Sequence, residues 1–98
     1  GIDIGGTRGE PVQAAGAGKV LYVGEGVLGY GKLILINHNS STLTAYAHND
    51  ALHVQKDQTV RAGQTIATMG SSDSDRVKLH FEVRINGKAV NPMPYLNR

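Results

Sequence analysis

Thirteen glycines divide this chain of 98 residues into short apolar runs, and that spacing leaves a helix little room. Runs rich in β-branched residues, bounded by glycine and polar clusters, are the pattern of an all-β domain. "GKVLYVG" (Gly18 to Gly24) and "KLILIN" (Lys32 to Asn37) read as strands with Gly29 to Gly31 turning between them. "TLTAYAH" (Thr42 to His48) follows a polar break, and "VKLHFEVR" ends the series. Two short β segments lie around the turn-like "KDQ" and "AGQ" between these. Asn86-Gly87 is a strong two-residue hairpin signal, and a short helical turn is expected over Pro92 to Leu96. With no repeat or linker, these elements predict a small β-sandwich or open barrel with a central antiparallel sheet and a groove. The chain is read as a single domain, residues 1 to 98, from the C-terminal part of a longer protein whose upstream sequence would carry any signal or lipid anchor.

Composition excludes several functions. There is no cysteine, so a disulfide framework and a thiolate metal site are ruled out, and a metal would need His, Asp or Glu ligands. Ten basic against eight acidic residues give a formal charge of +2, far from the clustered Lys and Arg of a nucleic-acid surface. The apolar runs are too short to cross a membrane.

Side chains alternate across a strand, which sorts the last long run into two faces. Leu79, Phe81, Val83 and Ile85 form an apolar face, while Lys78, His80, Glu82 and Arg84 form a row of ionisable groups. Such a row meets solvent or a site, because it cannot be buried without specific partners. In the Thr42 to His48 run, Thr44, Tyr46 and His48 share one side and Leu43, Ala45 and Ala47 the other. Periodicity alone leaves open whether His48 and His80 meet in one groove. His38 and His53 read as surface or packing residues.

The residues assembled so far resemble the LytM, or lysostaphin-type, zinc peptidase domain of bacterial cell-wall enzymes. Its marks are an H-x-x-x-D stretch, a Y-x-H and a final H-x-H-F-E. Here "GID" matches the end of the first, "YAH" at Tyr46 to His48 the second, and "KLHFE" at Lys78 to Glu82 the third with one change. "PVQAAGAGKV", "GYGKLILINH", "VRAGQTIATMG" and "NPMPYL" fit the same pattern in order. The resemblance implies that Asp3 and His80 stand at two zinc-ligand positions. The third ligand would be a histidine two places before Gly1, and zinc is expected only if one lies there. His48 falls where the family holds the attacking water or the oxyanion. Lys78 takes the place of the histidine that serves as general base.

That lysine sets the expected chemistry. A base at neutral pH needs a pKa near the operating pH, about 6.5 for a free imidazole against about 10.4 for a free lysine. An ammonium has no lone pair to take a proton from water and repels a divalent cation; solvent access and Glu82 on the same face are expected to keep it charged. "GSSDSDRV" also lacks the second glycine common in active relatives.

The resemblance is therefore to the degenerate NlpD and EnvC group, whose members do not cut peptidoglycan but activate N-acetylmuramoyl-L-alanine amidases. It implies a periplasmic protein tethered to the outer membrane, an AmiC-like periplasmic amidase as partner, peptidoglycan as a second contact, and no nucleic acid. The degenerate groove is expected at Asp3, His48, Lys78 and His80, with Tyr30, Tyr46 and Arg84 as anchors for the partner, since Tyr and Arg are favoured at interface hot spots. The alternatives are an active zinc endopeptidase for peptidoglycan cross-links, a passive wall-binding module and a lipoyl-type carrier. The carrier reading is weak, because Met69-Gly70 offers no lysine at the turn.

Overall fold

A computed structural model describes residues 1–96. Nine strands run in order among the described residues: β1 (Ile2–Gly5), β2 (Pro11–Gln13), β3 (Gly18–Gly24), β4 (Lys32–Asn37), β5 (Thr42–Leu52), β6 (Thr59–Val60), β7 (Thr65–Met69), β8 (Lys78–Ile85) and β9 (Lys88–Val90). A single helical turn, α1 (Met93–Leu96), follows where the sequence predicts it. The strands form one open antiparallel sheet in the order β1-β8-β5-β4-β3-β6; β7 pairs with β5, β2 with β7 and β9 with β8.

The central strands are the apolar runs, and burial sets their register. One face carries the main core, with Val20, Ile34, Ile36, Tyr46, Ile66, Phe81 and Val83 essentially sealed from water. Burying each such side chain contributes roughly 1.5–3 kcal/mol, and a slip of one residue would turn the whole set to solvent. The opposite face of β4 and β5 carries a smaller cluster of Leu33, Ala45 and Ala47, packed by Tyr22, Tyr30 and Leu35. The small alanines keep that face low where β8 passes beside it.

Turn chemistry agrees with the sheet. Asn86 and Gly87 have φ of 53° and 80°, as a two-residue turn of the primed type requires; it joins β8 to β9 with Ile85 opposite Lys88. Gly31, at φ 61°, lies so close to Ser72 that a Cβ would stand 2.3 Å from its carbonyl oxygen. Two strands have no clear sequence signal: β1 and β2 are three or four residues long, and they exist through pairing with β8 and β7.

Candidate functional site

The ionisable row of β8 lies between β1 and β5, so register decides what it meets. Asp3 of β1 is opposite His80, and Gly5 opposite Lys78. On the other side Ala47 is opposite His80 and Ala45 opposite Glu82. Directly paired residues point to the same face, which puts Ala45 and Ala47, not Tyr46, beneath the polar row.

Five β1 and β8 side chains then form one line. Lys78 Nζ donates to Asp3 Oδ2 at 3.2 Å, and His80 Nδ1 meets Asp3 Oδ1 at 2.7 Å. The other ring nitrogen, His80 Nε2, meets Glu82 Oε2 at 2.7 Å. Arg84 Nε donates to Glu82 Oε1 at 2.8 Å, and the Tyr30 hydroxyl donates to Glu82 Oε2 at 2.8 Å from the β3–β4 loop. The carboxylate that pairs with Lys78 is thus Asp3, whereas the sequence reading gave that place to Glu82.

Glu82 is the hub, and it is buried. Burial pushes its carboxyl pKa up, but the bonds from His80, Tyr30 and Arg84 outweigh that and hold it below the ordinary 4.5. The bond from His80, backed by Lys78 against a smaller opposing effect of burial, holds Asp3 below 3.8. The hydrogen bond to Glu82 raises the Tyr30 hydroxyl, and the same carboxylate raises Arg84. Carboxylates with folded pKa values below their unfolded ones stabilise the fold fully above those values and lose that contribution as pH falls. Chemical denaturation is therefore expected to show stability that is level toward neutrality and declines once pH drops below about 4.5. In Glu82→Gln the decline should be shallower, an outcome read directly from paired denaturation curves.

His48 arrives by a different route. Strict alternation would bury its ring beside Tyr46, but its backbone is left-handed, with φ 68°, and the alternation breaks there. The ring comes to 6.2 Å from that of His80, centroid to centroid, edge to face. Tyr30 approaches His80 from the loop side at 6.0 Å.

Tyr46 is a correction. It is 1% exposed within the main core, tilted against Phe81 at 5.5 Å, and its hydroxyl accepts from Ala15 N–H at 2.9 Å. The expectation that Tyr46 lines the groove as a partner anchor fails, because β5 turns it to the opposite face. His38 belongs to the same packing, bonding Ala17 O and Thr44 Oγ1, and His53 is exposed. The sequence reading missed Ser72, whose carbonyl holds His48 Nδ1 at 2.8 Å; its only signal was the polar "SSDSD" loop.

Zinc, which the resemblance brings with it, can be tested on these donors. Both oxygens of Asp3 are engaged by His80 and Lys78, and both ring nitrogens of His80 by carboxylates. No group of three His, Asp or Glu among the described residues is arranged to hold a metal ion. These residues by themselves do not fit the ion.

The open sheet and its β1–β8 row place the chain among lysostaphin-type peptidase folds. It matches the catalytic domain of the antimicrobial peptidase lysostaphin from Staphylococcus simulans with a TM-score of 0.91 and 31% identity, over 100% of this chain and 78% of that one. Residues 1–92 match Peptidase family M23, and the chain belongs to that family. It is 56% identical over 98 residues to outer membrane antigenic lipoprotein B of Haemophilus influenzae, covering 100% of this chain and 24% of that protein. To the murein hydrolase activator NlpD of Escherichia coli it is 52% identical over 96 residues, covering 98% of this chain and 25% of that protein. The chain thus spans about a quarter of the length of these two curated relatives.

Proposed function

We propose that this chain is a non-catalytic M23 domain that binds a periplasmic N-acetylmuramoyl-L-alanine amidase and activates it. Relatives named murein hydrolase activators at 52% identity support a role at peptidoglycan, and relatives named lipoproteins support tethering to a membrane. The observation that carries the non-enzymatic half is the ion pair between Lys78 and Asp3. Where the family resemblance puts a proton acceptor, the chain has an ammonium held against the would-be metal ligand.

The polar row still presents an aromatic ring at Tyr30 and a guanidinium at Arg84, and such groups suit a docked segment of another protein. Activation then works by population shift: the domain binds more tightly to the amidase conformation whose own active site is open. Arg84 is the anchor best placed for this, being 38% exposed on its side chain while braced by Glu82.

Arg84→Ala should lose at least tenfold in amidase activation, measured by dye release from labelled sacculi. The fold should survive at a cost of about 1–3 kcal/mol, because Glu82 is buried and loses one partner but keeps His80 and Tyr30. Full activation by the folded variant would remove Arg84 from the interface.

A further inference from the structure

Burial and bonding are mismatched at His48. The residue is 6% exposed. Its main-chain N–H donates to Tyr30 O at 2.9 Å, and its Nδ1 lies 2.8 Å from the Ser72 carbonyl. A carbonyl oxygen only accepts, so Nδ1 carries the proton, and in the neutral form of the ring Nε2 is then an acceptor. Nε2 has no hydrogen-bond partner among the described residues, and it is not among their sealed polar atoms. The residue is buried but this one ring atom is not sealed, so an outside group can reach it. The other ring of the groove, His80, has both nitrogens committed.

The ring is also held firmly in this pose. Ser72 Oγ donates to Asn49 O at 2.7 Å and accepts from Lys32 N–H at 3.0 Å, tying the loop to β5 and β4. Asp73 Oδ2 accepts from Gly29 N–H at 2.9 Å, joining the same loop to the turn that carries Tyr30. Gly31 packs on the Ser72 backbone in a space that no Cβ can enter. Strain at a left-handed histidine persists only when its surroundings over-determine it, and here two bonds hold His48 itself while three more brace the Ser72 loop.

We infer that His48 Nε2 is a preset acceptor for a hydrogen-bond donor, a main-chain N–H or a hydroxyl, on the docked amidase, and that Ser72 is the positioning residue that aims it. This rests on the activator reading above.

The test is His48→Asn. Asparagine tolerates a left-handed backbone, and its amide nitrogen can keep the bond to the Ser72 carbonyl, but it has nothing in place of Nε2. With an amidase that the wild-type chain activates, the variant should melt with the wild type yet bind at least tenfold more weakly. Ser72→Ala should weaken binding severalfold and shift the ring nitrogen-15 spectrum of His48 away from the Nδ1–H tautomer, a signature that simple loss of stability does not produce. Wild-type affinity in folded His48→Asn would overturn the inference, as would an Nε2–H tautomer in the wild-type spectrum. So would a variant that loses retention on purified sacculi while amidase binding is unchanged, since the donor would then be a glycan. If the wild-type chain binds no amidase at all, the activator reading itself fails, and that failure is visible before any variant is made.

Discussion

Replacing Tyr46 with alanine is expected to cost about 3–5 kcal/mol, the range for emptying an aromatic-sized site in a packed core. Tyr46 is among the largest fully buried side chains, and nothing near it can collapse into the space without disturbing the β5–β8 pairing at Tyr46 and Phe81. Domains of this size hold about 5–15 kcal/mol in all, so the melting temperature should fall by well over 10 °C. The companion variant separates packing from polar bonding. Tyr46→Phe keeps the ring but strands the Ala15 N–H and alters the Thr44 and His38 chain, at about 1–3 kcal/mol for a buried group left unpaired. Because Tyr46 faces away from the groove, Tyr46→Phe should still activate an amidase at the wild-type level while folded. A Tyr46→Ala domain with unchanged melting would contradict the packing described here.

The second large effect belongs to Glu82→Ala. This substitution removes the acceptor shared by Tyr30, His80 and Arg84. Breaking a buried charge pair by deleting one partner costs about 3–5 kcal/mol when the survivor stays buried. Arg84 is partly in water, so a loss of about 2–4 kcal/mol is expected, with the Tyr30 hydroxyl and the His80 ring responsible for much of it. The functional loss should run ahead of the structural one, since Tyr30 and Arg84 are both oriented through this carboxylate. Calorimetry and dye release on one preparation would show it: activation should be nearly lost at temperatures where the variant is still folded. Full activation would mean that the orientation of Tyr30 and Arg84 is immaterial to the partner.

The same residues show how much could be read from the chain alone. The glycine-bounded runs Gly18 to Gly24 and Lys32 to Asn37 became β3 and β4 end for end, because propensity, turn residues and burial agree there. The alternation along β8 also predicted its buried face, Leu79, Phe81 and Val83. Alternation misplaced Tyr46 relative to His48. Both belong to one side of an ideal strand, but the left-handed φ at His48 lets β5 bend and continue to Leu52, sending the two rings to opposite faces. No local pattern signals that conformation; it comes from contacts with Tyr30 and Ser72, 18 and 24 residues away in sequence. The partner of Lys78 was hidden for a similar reason, since Asp3 reaches it from a four-residue strand that exists only through pairing with β8.

We propose that the Lys78 ammonium on Asp3 leaves this M23 domain unable to cut and suited to docking. Dye release from labelled sacculi with the purified, zinc-supplemented chain, alone and together with an N-acetylmuramoyl-L-alanine amidase, tests it most directly. The predicted result is no release by the chain alone and a large increase in release by the amidase when the chain is present. Release by the chain alone, with cross-linked peptides cut, would contradict it.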